Sequence, residues 1–113
     1  MFKIIKDKIP EILKDEGKEC EYAVVQSKNL HLGYLKAKLI EVTNAYLANG
    51  LMDNLAELQI VLNSLVKIEG LEKESFESTV ETKIEVEGAY DTGYIAFFQD
   101  QPQQPQQKEP ENK

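Results

Sequence analysis

Apolar side chains recur along the middle of the chain at helical spacing. Leu32, Leu35, Leu39, Val42 and Tyr46 step by three, four, three and four residues, which lines one face of an α-helix beginning at Leu30 and stopped by Asn49 and Gly50. Lys36, Glu41 and Asn44 fall on its opposite face. A second helix is expected from about Asp53, a candidate N-cap, to Gly70, with Leu51, Leu55, Leu58, Leu62 and Leu65 stepping by four, three, four and three. Ile60, Val61, Val66 and Ile68 lie outside that leucine stripe, so the apolar face is wider than one neighbouring helix covers and a central place in a bundle is expected. A third block, Glu72 to Val86, sets Phe76, Val80 and Ile84 on one edge among Glu74, Glu77, Glu81 and Glu85, the pattern of an outer helix ended by Gly88.

The flanks read differently. Phe2 to Ile5 is short and β-prone; Asp7 followed by Pro10 signals a short helix across Lys8 to Asp15, with Gly17 as its stop. Glu21 to Gln26, with Tyr22, Val24 and Val25, reads as a second short strand. After a turn at Asp91 to Gly93, Tyr94 to Phe98 is aromatic and β-like, and is suited to pair with the N-terminal strand. From Gln99 onward only Gln, Pro, Lys, Asn and acids occur, a composition that buries too little to repay ordering. The expected organisation is one mainly α domain over residues 1–98, with short terminal strands, and a disordered Gln/Pro-rich tail over residues 99–113.

Composition narrows the partners. A 12.9 kDa chain of 113 residues supports one thin core, which oligomerisation would complete. Twenty acidic side chains against thirteen basic ones give a net charge of −7, which opposes binding to nucleic-acid polymers or anionic membranes. Every basic residue is Lys, so the planar fork that grips phosphate in a bidentate way is missing throughout. Charge interrupts the first ten residues too often for a signal or membrane segment, and the one cysteine, Cys20, fits a reducing compartment, so a cytoplasmic location is expected. Neither a GxxxxGK[ST] nor a GxGxxG loop is present, and His31, the sole histidine, has no sequence link to Cys20 that would make a catalytic pair.

The opening KIIKDKIPEIL with Gly17 resembles the "KLVRDKIPEII…G" start of small MazG-like proteins, members of the all-α nucleoside-triphosphate pyrophosphohydrolase superfamily that includes phosphoribosyl-ATP pyrophosphohydrolase. KLIEVTNAYL at Lys38 to Leu47 is similar to that family's "KLLEEVNEFL", NLAEL at Asn54 to Leu58 to its "ELADV", and EGAYDTGYIAF at Glu87 to Phe97 to its "RGGFEKGIFL". The resemblance implies an all-α helical bundle that forms dimers or tetramers. Facing helices would bring an EExxE…ExxD set of carboxylates to magnesium, which bridges a nucleotide's phosphates while the bond between the α and β phosphates is hydrolysed. Such spacing suits that role, since acids three and four apart share a helix face and converge on one hard cation.

Against that pattern, Glu41 matches the first acid, but Val42 and Ala45 take the second and third; in the next helix Asn54 takes the first position and Glu57 the last. Glu41 and Glu57 are therefore the candidate metal ligands for Mg²⁺, and Lys6, Asp7, Lys83 and Asn54 the candidate contacts to phosphate or nucleotide. Lys6 stands for an Arg, Lys83 matches the usual Lys near the end of the third helix, and Glu87 reverses the charge of a usual Arg. Three readings follow: a nucleotide pyrophosphohydrolase homologue that is catalytically weak or inactive, a pseudoenzyme keeping a nucleotide or protein partner; an active Mg-dependent hydrolase of nucleoside triphosphates; or a purely structural helical module. The loss of three acids together favours the first, because removing transition-state charge costs powers of ten in rate.

Overall fold

Glycine and proline punctuate four helices in the computed structural model, which describes residues 2–98; the tail expected over residues 99–113 lies outside the described residues. Helix α1 spans Ile9–Asp15, α2 Lys28–Asn49, α3 Met52–Ile68 and α4 Lys73–Glu87. Pro10 sits in the first turn of α1, where its missing N–H costs nothing. At the other end Gly17 takes a positive φ of 75°, and the Gly17 and Lys18 N–H groups bond back to the Lys14 and Leu13 carbonyls at 3.0 and 2.9 Å, closing a Schellman motif. The same motif closes α3, where Gly70 and Leu71 bond back to Lys67 and Val66, each at 3.1 Å.

The α2–α3 pair is the organising unit. Ser27 caps α2, its Oγ accepting the Leu30 N–H at 3.2 Å. Gly50 ends α2 in the left-handed region at φ 65°, and Leu51, extended, hands the chain directly to α3, so two residues join two antiparallel helices. Helix α3 thus starts before the expected N-cap: Asp53 lies inside the first turn, where its charge complements the helix dipole, and Asn54 Oδ1 accepts the Leu51 N–H at 3.2 Å. At the far end of the hairpin Lys28 Nζ donates to the Glu69 carbonyl at 3.4 Å.

The seam between these helices is the core. Leu32, Leu35 and Val42 of α2 and Val61 of α3 are its buried residues, with Leu39, Tyr46, Leu58 and Leu65 half-buried beside them. On α2 the inward face is the predicted stripe. On α3 it is rotated from the leucine ladder to Leu58, Val61, Leu65 and Ile68, leaving Leu51, Leu55 and Leu62 exposed. The reason is the width of the apolar face: α2 covers only one side of it, and α4 meets α3 only lightly and α2 not at all. On α4 itself only Phe76 of the expected apolar edge is half-buried; Val80 and Ile84 are exposed.

No strand occurs among the described residues. The three segments expected as strands, Phe2 to Ile5, Glu21 to Gln26 and Tyr94 to Phe98, are irregular chain. A strand exists only through backbone hydrogen bonds to a neighbour, and among the described residues no such bond joins these segments. Tyr90, Tyr94, Ile95 and Phe97 are each more than nine-tenths exposed. No helix among the described residues is long and apolar enough to cross a membrane.

Candidate functional site

The N-terminal segment before α1 is tied to the α2–α3 hairpin by lysines. Lys6 Nζ donates to Glu57 Oε2 on α3 at 2.7 Å. Three residues earlier, Lys3 Nζ lies 3.4 Å from Glu41 Oε1 on α2, whose other carboxylate oxygen accepts from Lys38 Nζ at 3.1 Å. Both candidate metal ligands are therefore bonded to the chain's own ammonium groups. These pairs lie in water, with Glu41 half-exposed and Glu57 about one-third exposed, so they contribute little to stability and chiefly fix where the N-terminal segment lies.

Electrostatics follow the geometry. The Glu41 carboxyl is held below the usual carboxylate range, chiefly by the hydrogen bond from Lys38 and also by Lys3. The Lys6 ammonium is held above the usual lysine value, first by its hydrogen bond to Glu57, then by that carboxylate's charge, with Asp53 adding a smaller share. Each shift favours the charged form of a group that already has its counter-ion.

The remaining candidates are scattered. Asn54 spends its side-chain oxygen on the cap of α3. Asp7 sits in an exposed turn before α1, and no side-chain bond caps that helix, whose N-cap residue is Lys8. Lys83 stands on the exposed surface of α4, a helix that does not meet α2, so it is not brought to Glu41. Glu87 is the last residue of α4 and is also exposed. Val42, at the position of the pattern's second acid, is buried in the α2–α3 seam, and Ala45 is half-buried.

Magnesium takes oxygen ligands in near-ideal octahedral geometry, usually one or two carboxylates together with waters and substrate phosphates. Of the five positions of the acidic pattern, Glu41 and Glu57 carry acids, each paired with lysine at the surface, while Val42 and Ala45 have no donor atom and Asn54 Oδ1 is engaged by backbone. Among the described residues no group of three or more His, Cys, Asp and Glu side chains is placed to share a metal ion. The Lys38–Glu41 contact was legible as an i,i+3 pair on a helix; the long-range partners Lys3 and Lys6 carry no such local signal.

A groove of about 530 Å³ lies apart from all of these, between α1 and the chain that follows it, lined by Pro10, Leu13, Lys14, Cys20 and Tyr22 among others. Cys20 is free and exposed there, its Sγ 3.6 Å from the Glu21 carbonyl. None of the candidate metal or phosphate contacts lines the groove. Comparison with protein-family models, with curated proteins and with solved structures found no match to this chain.

Proposed function

We propose that the protein is a MazG-like helical module that does not hydrolyse nucleotides and works instead as a self-associating binding module. The observation that carries this reading is the pairing of Glu41 with Lys3 and Lys38 and of Glu57 with Lys6. A metal ion entering there must displace ammonium groups from both carboxylates and then make do with two acids where the resembling pattern has five. The burial of Val42 supports the same conclusion: the position that would supply the second acid serves the hydrophobic seam. Self-association is supported by the apolar side chains left open among the described residues, Leu51, Leu55 and Leu62 at α3, Val80 and Ile84 on α4, and Tyr90, Tyr94, Ile95, Phe97 and Phe98 after it.

Incubation of the pure protein with a panel of nucleoside triphosphates and Mg²⁺ or Mn²⁺, followed by assay of pyrophosphate, tests the first half. The reading expects no release above the protein-free blank. Release that disappears in Glu57→Gln would overturn it and restore a working hydrolase.

A further inference from the structure

The chain before α2 is joined to the rest of the subunit by very little. Helix α1 buries no residue and meets none of the other three helices. The chain that follows it, residues 16–27, has no regular structure beyond the turn at Glu16 and Gly17, and only Val25 in it is half-buried. What α1 does pack against is its own flank, where Pro10, Leu13 and Tyr22 line one groove.

Two ionic contacts fasten this unit to the hairpin. Lys6 Nζ donates to Glu57 Oε2 at 2.7 Å and Lys3 Nζ lies 3.4 Å from Glu41 Oε1, so two lysines three residues apart reach α3 and α2 together. Ile4, between them, is half-buried, whereas Phe2 and Ile5 are exposed. Pairs this open to water are screened by added salt, because the Debye length falls from about 30 Å at 0.01 M to about 3 Å at 1 M. The α2–α3 seam is of the other kind: Leu32, Leu35, Val42 and Val61 hold it by apolar burial, which simple salt leaves in place.

We propose that residues 2–26 are a releasable arm, latched onto the α2–α3 hairpin by Lys3 and Lys6, which swings away when those pairs are screened or their ammonium groups neutralised, while the hairpin stays folded. Release couples two changes. It strips Glu57 of its lysine and leaves Glu41 with Lys38 alone, and it carries the α1 groove and Cys20 away from the hairpin. The small worth of each exposed pair is what makes the latch reversible. The inference rests on the same contacts as the proposed function and adds that they open together; it requires neither a second copy nor the absence of hydrolysis.

The test uses the full chain with a nitroxide on Phe2→Cys in a Cys20→Ser background, Phe2 being 83% exposed beside Lys3. Paramagnetic broadening of ¹⁵N-labelled backbone amides then reports where the arm lies. At about 0.02 M NaCl the amides around Glu41 and Glu57 should be broadened; at about 1 M they should recover, with the chemical shifts of the α2–α3 seam unchanged. Lys3→Gln combined with Lys6→Gln should give the recovered spectrum at low salt. A mixture of nitroxide-bearing chains without ¹⁵N and ¹⁵N chains without nitroxide should show no broadening, which assigns the contact to one subunit. Broadening that survives 1 M salt or the double substitution overturns the latch, as does broadening absent at every salt or present in the mixture. Loss of the seam's shifts in the same step also overturns it, because the arm would then not separate from a folded hairpin. Pyrophosphate release is a separate readout, so a failed latch and a working hydrolase are told apart.

Discussion

Replacing Val42 by Glu sets the two accounts of α2 against each other. On the ligand pattern this change restores the second acid next to Glu41; on the structure it forces a carboxylate into the α2–α3 seam, where Val42 is only 8% exposed. Losing the burial of a valine side chain costs about 1.5–3 kcal/mol. An unpaired carboxylate in the same place adds a desolvation penalty of several kcal/mol, limited by the option of taking up a proton. The expected total is about 3–5 kcal/mol at neutral pH, a large part of the roughly 5–15 kcal/mol available to a domain of this size. Urea denaturation followed by circular dichroism, at one fixed chain concentration, should show the midpoint falling by more than about 1 M. Val42→Ala, which removes packing without adding charge, should lose about 1–3 kcal/mol. The pH dependence separates the two terms. In Val42→Glu the buried acid has its pKa raised above its unfolded value, so the folded state holds the proton more tightly and the deficit against Val42→Ala grows as pH rises from about 4 toward 7. The reasoning is refuted if Val42→Glu unfolds at the wild-type midpoint and gains saturable Mn²⁺ binding.

Other outcomes follow from single contacts. Ser27→Ala removes the oxygen that caps Leu30 N–H and should cost about 1 kcal/mol in urea unfolding, with little change in m-value. At Gly50, whose added Cβ would meet nothing within 4 Å, Gly50→Ala isolates the backbone penalty of the left-handed turn, about 1–2 kcal/mol by the same measurement. Lys38→Met should raise the titration midpoint of Glu41, followed by carboxyl-carbon NMR, because the main group holding that acid ionised has gone. In the unmutated protein the small contribution of Glu41 is present above the ordinary carboxylate value and is lost as pH falls through its lowered one, whereas that of Lys6 is present below the ordinary lysine value and is lost as pH rises through its raised one.

The helices were legible because their stop signals are local. Gly17, Gly50, Gly70 and Gly88 each take positive φ at a helix end, and only a residue without Cβ does so freely. The inward stripe of α2 was legible for a related reason: one neighbour covers it, so the apolar period and the buried face coincide. On α3 the same counting chose the leucines, yet the buried line runs through Leu58, Val61, Leu65 and Ile68. Periodicity reports that a face is apolar; which part of a wide face is covered depends on how many neighbours arrive. The strand segments show the same limit more sharply. Tyr94 to Phe98 has strand composition but no backbone hydrogen bonds to another described segment, and β propensity measures fit to a sheet that must already exist. At the candidate site, the i,i+3 relation of Lys38 to Glu41 follows from helix geometry alone, while the 51-residue separation of Lys6 from Glu57 is a product of the hairpin.

Self-association is the central claim: among the described residues four apolar side chains are buried, against a long series of exposed ones. Sedimentation equilibrium of the full chain across low to high micromolar concentration measures this directly. A mass at least twice the 12.9 kDa of the chain, with a urea midpoint that rises with concentration, is the predicted result. A cooperatively folded species of 12.9 kDa throughout, with a concentration-independent midpoint, would contradict it.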